Sequence, residues 1–345
     1  MRKGDPYGTH RVIEPKGLLP QPAWKIDNDM EIYDNEVLID VEILNIDSAS
    51  FTQIEIEAGG DESRIAGIMT GIVKERGKHH NPVTGSGGML IGKVEKIGPA
   101  LESKSELKVG QRLATLVSLS LTPLRIDTIK KIHKEIDQVE IEGKAILFES
   151  GIYAVLPDDM PQTLALAVLD VAGAAAQTAK LVRPGDKVVI IGVGGKSGLL
   201  CLHEAKKRSG VTGQVIGIAP REASKKRAES TGLCDTVLMA DAADALDVMR
   251  KVEEASGGEM ADVTINCVNI PNTELSSILA TRDGGLVYFF SMATSFTAAA
   301  LGAEGVGKDV NMIIGNGYTR DHAAISLNIM RENPVLRKIF EELYT

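Results

Sequence analysis

Cysteine is scarce in this chain. Cys201, Cys234 and Cys267 are its only three in 345 residues, too few and too widely spaced for a disulfide framework. All three read as small buried hydrophobes in a reducing compartment. Basic residues are outnumbered, 38 Lys and Arg against 47 Asp and Glu. The net charge of −9 excludes the basic face that a nucleic-acid partner needs. No apolar run is long enough to span a bilayer, and Met1-Arg-Lys-Gly-Asp-Pro6 has no apolar signal-peptide core. The expectation is therefore a cytoplasmic protein with no membrane partner. Internal repeats and low-complexity tracts are also missing. What remains is an ordinary globular composition with length enough for two cores.

The most informative segment is Lys187-Val-Val-Ile-Ile-Gly-Val-Gly-Gly-Lys-Ser-Gly-Leu-Leu200. A β-branched run ends in a glycine-rich turn, and a helix begins. Gly192 allows the turn out of the strand. Gly194 and Gly195 carry no Cβ to hold a pyrophosphate away from the backbone, and Gly198 lets the helix lie close on the sheet. The free N–H groups of the helix start then face the phosphates, with Lys196 and Ser197 beside them. The spacing is GxGGxxG, one residue longer than the strict fingerprint, but strand, turn and helix follow in the required order. The segment predicts a dinucleotide site.

Around it the chain changes rhythm. The N-terminal third alternates apolar and polar residues over 36–44 and 89–97, with a further strand predicted at 111–119. The stretch 126–139 carries a helical mix of Ile, Lys and acidic residues and reads as a helical surface insertion. Pro157-Asp-Asp-Met-Pro161 marks a boundary, giving a β-rich domain over 1–160. A single helix is predicted over 162–181. Strands follow at 188–191, 215–218, 236–238, 263–265, 286–290 and 310–314, with helices between the first four. Repeated βαβ units imply a doubly wound parallel sheet over 161–320. The segment 321–345 reads as an amphipathic helix returning to the first domain.

Several motifs resemble the medium-chain dehydrogenase/reductase superfamily: Gly88-Met-Leu-Ile-Gly-Lys-Val-Glu-Lys-Ile-Gly98, then Leu107-Lys-Val-Gly-Gln-Arg-Leu113, and Val182-Arg-Pro-Gly-Asp-Lys-Val-Val189. The resemblance implies an α/β protein with a GroES-like β-rich catalytic domain followed by a Rossmann domain. Within that superfamily the chain is similar to the L-erythro-3,5-diaminohexanoate dehydrogenases of lysine fermentation. This likeness rests on Lys3-Gly-Asp-Pro-Tyr-Gly-Thr-His-Arg-Val-Ile-Glu-Pro15, Leu44-Asn-Ile-Asp-Ser-Ala-Ser-Phe51 and Leu169-Asp-Val-Ala-Gly-Ala-Ala-Ala-Gln177. It implies NAD(P)-dependent oxidative deamination, with 5-amino-3-oxohexanoate and ammonia as products. The rival expectation is a zinc-free NADPH-dependent quinone or enoyl reductase, which would favour a more apolar pocket. A cofactor-binding protein without catalysis is a third reading.

Where many relatives place catalytic zinc ligands, this chain has Asp47, Gly88 and Asp170. With no thiolate or imidazole at those places, no metal is expected. Oxidising an amine requires a neutral nitrogen, and an ammonium resembling that of lysine has a pKa of about 10.4. A base must therefore take a proton first. Asp47 and Asp170 are the candidate catalytic carboxylates, since they also attract a cationic substrate. Ser48 is a candidate for positioning or proton relay, with Ser50 beside it. Tyr153, His79 and His80 are weaker pocket candidates. Arg125, His80 and Arg320 are alternatives for the substrate carboxylate.

An NAD-specific enzyme usually ends its second strand with an acid that holds the ribose diol. In Val215-Ile-Gly-Ile-Ala-Pro-Arg221, Ala219 takes that place, followed by Arg221, so NADP is expected to be accepted. Further cofactor neighbours predicted from strand ends are Asn266 and Val268, Ser291 and Met292, and the pair Asn316-Gly317. A homodimer along the sheet edge is expected.

Overall fold

A computed structural model of the chain describes residues 2–291, 293–315 and 317–345. Two compact units divide between Asp158 and Asp159, inside the Pro157–Pro161 stretch.

The first unit begins with a short pair, β1 (Val12–Glu14) and β2 (Lys25–Ile26). Its main sheet holds β3 (Glu36–Ile46), β4 (Gly88–Ile97), β5 (Arg112–Thr115), β6 (Leu124–His133), β7 (Gln138–Phe148) and β8 (Tyr153–Val155). The strands run antiparallel in the order β6-β7-β3-β4-β5-β8. Alternating side chains of β3 (Val37, Ile39, Val41) meet Val94 of β4 and Ile141, Ala145 and Leu147 of β7 in one core. Two helices unforeseen in the β-rich reading close it, α1 (Ser48–Ala58) and α2 (Glu62–Arg76). Phe51, Ile54 and Ala58, then Ile65, Met69 and Val73, recur at helical spacing and face that core. The Asp61 carboxylate caps α2 by accepting from the Arg64 N–H.

The predicted helix over 126–139 is instead most of β6 and the turn that leads into β7. Ile126, Ile129 and Ile132 recur every third residue, which mimics a helix. The register of β6 on β7 shifts between Ile126 and Thr128 and again between Ile129 and Lys131. Each irregularity changes which face the next residue takes, so all three isoleucines reach the core.

The N-terminal motif forms a clasp over the start of β3. Arg11 is buried and donates to both carboxylate oxygens of Glu36, at 2.6 and 2.7 Å, and to the carbonyls of Asp29 and Glu31. His10 Nε2 lies 2.8 Å from the same carboxylate. Burial alone would raise the Glu36 pKa. The hydrogen bonds from Arg11, His10 and the Tyr33 N–H outweigh it and hold that carboxyl below its ordinary range.

The second unit opens with α3 (Gln162–Leu169) and α4 (Ala172–Leu181), bent by 54° rather than forming the single predicted helix. There follow β9 (Lys187–Ile191), α5 (Lys196–Ser209), β10 (Gln214–Ala219), α6 (Glu222–Ser230), β11 (Thr236–Met239), α7 (Ala245–Ser256) and β12 (Ala261–Asn266). The chain continues through α8 (Glu274–Ala280), β13 (Thr281–Phe289), α9 (Phe296–Val306) and β14 (Asn311–Ile314). All six strands are parallel, in the order β11-β10-β9-β12-β13-β14. Counted within the unit this is the 3-2-1-4-5-6 order of the Rossmann fold, with its switch point between β9 and β12. Val188, Ile190, Val215, Val263 and Ile265 are buried on one face of the sheet, and Val189, Ile191, Ile216 and Ile218 on the other.

The last segment, α10 (His322–Glu332) and α11 (Pro334–Tyr344), corrects the expected return to the first domain. Both helices pack on α3, and α10 also on α4, so they belong to the second unit. Leu336 and Phe340 are fully buried there. Arg331 grips Asp159 through two hydrogen bonds of 2.7 and 3.0 Å, and Asn333 caps α11.

Candidate functional site

The glycine loop leaves β9 at the sheet's switch point. Gly192 has φ of 85°, a conformation that side chains resist. The other glycines divide the work differently from the sequence expectation. A Cβ on Gly198 would lie 2.2 Å from the Gly192 carbonyl oxygen, so its absence lets α5 close on the turn. One on Gly194 would lie 2.4 Å from the Ser224 carbonyl oxygen. Gly194 therefore serves contact with α6 rather than a ligand. Only Gly195 opens outward: it is exposed, and its nearest neighbour would be 3.4 Å away. Lys196 and Ser197 follow as the first residues of α5, both half-buried, and the Ser197 hydroxyl has no partner among the described residues. The exposed turn and the unpaired N–H groups of a fourteen-residue helix fit a pyrophosphate.

Arg227 was not foreseen. From α6 it donates to the Gly194 carbonyl at 2.7 Å and ties that helix to the loop. Arg221 stands at the N-cap of α6, exposed, its guanidinium without a partner among the described residues. Ala219 ends β10 and is buried.

The strand-end expectations divide. Val268 reaches the loop, since a Cβ on Gly192 would lie 2.6 Å from Val268 Cγ1. Asn266 is a correction. Its side chain is fully buried, donating to Thr273 and Ser277 and accepting from the Val268 N–H, so that side chain is committed to shaping the loop. Ser291 is nearly buried, and its hydroxyl accepts from the Ala293 N–H. Met292 and Asn316 lie outside the described residues. Gly317 crosses the first turn of α4, where a Cβ on Gly173 would lie 2.3 Å from its carbonyl oxygen.

Asp170 sits at the break between α3 and α4. It is half-exposed, not enclosed in the apolar run that precedes it. Its Oδ2 lies 2.9 Å from Nζ of Lys196. The second unit thus brings a candidate catalytic carboxylate to the first turn of the candidate dinucleotide helix.

In the first unit, Asp47 and Ser48 are exposed where β3 passes into α1. Asp47 Oδ2 accepts from the Gly87 N–H at 3.1 Å. Ser48 donates to Asp137, a residue the sequence reading missed, held at φ 55° between β6 and β7. With its proton so placed, the Ser48 hydroxyl presents lone pairs. Asp47, Ser48 and Asp137 together are acceptors suited to an ammonium group. Ser50, by contrast, is buried and bonded to Thr84 and Ser86 at 2.6 Å each.

The remaining candidates separate clearly. Gly88 has φ of 114°, and a Cβ there would lie 2.1 Å from the Asn45 carbonyl oxygen, so no ligating side chain fits. His79 is fully buried with neither ring nitrogen hydrogen-bonded. Burial depresses the pKa of both His79 and His80 to about 4. A neutral His80 is a poor counter-ion for a carboxylate. Arg125 is engaged by Asp127 through two bonds, whereas Arg320 is exposed and unpaired among the described residues. Tyr153 bonds Ser105 and lines a cavity of about 260 Å³ with Val37 and Leu147, at the opposite end of β3 from Asp47. Among the described residues no three His, Cys, Asp or Glu side chains converge as metal ligands. Cys201 and Cys267 lie with sulfurs 3.7 Å apart, and their mutual hydrogen bond and burial push the Cys267 thiol up. Burial raises Cys234 to about 12.

Comparison with known proteins matches this architecture to a family. The model of the L-erythro-3,5-diaminohexanoate dehydrogenase N-terminal domain matches residues 10–157. The L-erythro-3,5-diaminohexanoate dehydrogenase of Acetoanaerobium sticklandii is 64% identical over 342 residues, covering 99% of each chain. The chain belongs to the L-erythro-3,5-diaminohexanoate dehydrogenase family. A second relative of that name, from Fusobacterium nucleatum subsp. nucleatum, is 63% identical over 344 residues and covers 100% of each chain. Among solved structures, a mycobacterial protein complexed with NADPH has 16% identity and a TM-score of 0.55, over 93% of this dehydrogenase and 85% of that chain. That likeness shows the shared fold, a GroES-like β-rich unit followed by a Rossmann unit.

Proposed function

We propose that this dehydrogenase catalyses NAD(P)-dependent oxidative deamination of L-erythro-3,5-diaminohexanoate, giving 5-amino-3-oxohexanoate and ammonia, in the cytoplasm as a step of lysine fermentation. The observation that carries the reading is full-length identity of 63–64% to two enzymes of that name. The amine substrate, water and oxidised cofactor become the ketone, ammonium, reduced cofactor and one proton. When bound, the oxidised nicotinamide accepts the hydride from the carbon that bears the departing nitrogen. The exposed turn at Gly195, with Lys196, Ser197 and the start of α5, binds its pyrophosphate.

Asp170 Oδ2 is the proton acceptor for the reacting ammonium, and Lys196 holds that carboxylate in place at 2.9 Å. Asp47 and the lone pairs of Ser48 accept hydrogen bonds from a substrate ammonium, with Asp137 fixing the Ser48 hydroxyl. Arg320 supplies the cation for the substrate carboxylate. Arg221 favours acceptance of NADP through the 2′-phosphate.

A homodimer along β14 completes the reading. This edge strand exposes Met312 and Ile314, while α9 beside the sheet exposes Phe296 and Leu301.

The deciding experiment follows reduced nicotinamide at 340 nm with 3,5-diaminohexanoate, in parallel with cofactor oxidation by quinones and enones. Ammonia formed in equal amount to reduced cofactor supports deamination. Turnover only with quinones or enones overturns it in favour of the reductase reading.

A further inference from the structure

The end of the chain touches the start of the dinucleotide helix. Lys196 Nζ stands 5.3 Å from the centroid of the Tyr344 ring, within cation–π range, while bonded to Asp170 on another side. Tyr344 is the last residue of α11, a helix anchored by buried Leu336 and Phe340. Its ring is braced edge-on by Phe340, with centroids 5.1 Å apart. The contact is therefore held by a packed helix.

We infer that Tyr344 is a positioning residue for cofactor binding, which holds the Lys196 ammonium ready for the pyrophosphate. The inference rests on the reading of Lys196 as a cofactor ligand. A free lysine side chain loses rotamer freedom when it binds a phosphate, so one already restrained binds more tightly. Asp170 restrains it at the cost of placing a negative charge near the incoming anion. An aromatic face restrains it without a full charge, which complements the carboxylate.

The test is calorimetric titration of NADPH and NADH into the intact enzyme and into Tyr344→Ala, Tyr344→Leu, Tyr344→Phe, Lys196→Met and the Tyr344→Ala/Lys196→Met pair. The expected result is a Kd about two- to fivefold higher for Ala and Leu, matching the loss of an exposed cation–π contact. Phe should restore the parent value, and Tyr344→Ala should add nothing once Lys196 is gone. Leu keeps the apolar contact with Phe340, so it separates loss of the ring from loss of helix packing. An unchanged Kd in the Ala and Leu variants, with a weakened Lys196→Met, overturns the inference alone. Independent, additive losses also overturn it. An unchanged Kd in Lys196→Met removes the reading of Lys196 on which the inference stands.

Discussion

Lys196 and Asp170, 26 residues apart in sequence, join at 2.9 Å beside the first turn of α5. The helix break at Asp170 brings its carboxylate to the glycine loop and leaves it about half exposed. Asp170→Asn keeps the shape and a hydrogen bond to Lys196 but removes the proton acceptor. The expected outcome is a kcat with 3,5-diaminohexanoate lower by about 10²-fold or more, the usual scale of general-base loss. The melting temperature should stay close to that of the parent, because the pair is partly solvated. Undiminished turnover would take Asp170 out of the proton transfer.

The cations of α6 differ in what they already hold. Arg227 is bound to the Gly194 carbonyl, and Lys225 and Lys226 lie near Glu229 and Glu222, whereas Arg221 has no internal partner among the described residues. Removing a charge-assisted contact to a 2′-phosphate costs about 1.5–3 kcal/mol. Arg221→Ala should therefore lower kcat/KM with NADP by about tenfold to a hundredfold and leave the value with NAD nearly unchanged. Equal losses with both cofactors would place Arg221 elsewhere in the cofactor site.

The second unit was readable because each strand contains a short apolar run closed by turn residues, and its six strands appear where that pattern predicts. The 126–139 segment misled because bulges gave a strand the apolar spacing of a helix. The α1 and α2 helices had a visible signal at Phe51, Ile54, Ala58 and at Ile65, Met69, Val73, masked by the stronger alternation around them. Residue type located the glycine loop but could not divide its roles. Gly194 and Gly195 are adjacent glycines, and only the approach of Ser224 distinguishes them. Asn266 was misread for a similar reason, since an Asn at a strand end serves a loop or a ligand equally well. Asp137 and Arg227 could not be found locally, because each acts on a residue from a distant segment.

That division among the glycines is testable with single methyl groups. Gly195→Ala has φ of −85° and no neighbour closer than 3.4 Å, so it should melt within about a degree of the parent. Its methyl group would stand where the pyrophosphate approaches, and the cofactor Kd should rise about tenfold or more. Gly198→Ala meets backbone at 2.2 Å and should cost about 1–3 kcal/mol. In differential scanning calorimetry this reads as a melting temperature lower by several degrees. The opposite assignment, with Gly195→Ala unstable and Gly198→Ala silent, would contradict the loop geometry.

His79 gives a pH-dependent prediction that separates from catalysis. It is fully buried, neither ring nitrogen is hydrogen-bonded, and burial lowers its pKa from 6.5 to about 4. Between those values the unfolded chain binds a proton that the folded chain refuses, so stability falls as pH drops from about 6.5 towards 4. At pH 5 the shift corresponds to roughly 2 kcal/mol of lost stability from this group. His79→Leu removes both the proton site and the unpaired nitrogens at similar volume. It should stabilise the protein by about 1 kcal/mol at pH 7, and by more at pH 5, where the parent also carries the protonation penalty. Urea unfolding of both proteins at pH 7 and pH 5 measures the difference directly. A gap between the two proteins that does not widen on acidification would show that His79 finds a partner for its proton in the folded chain.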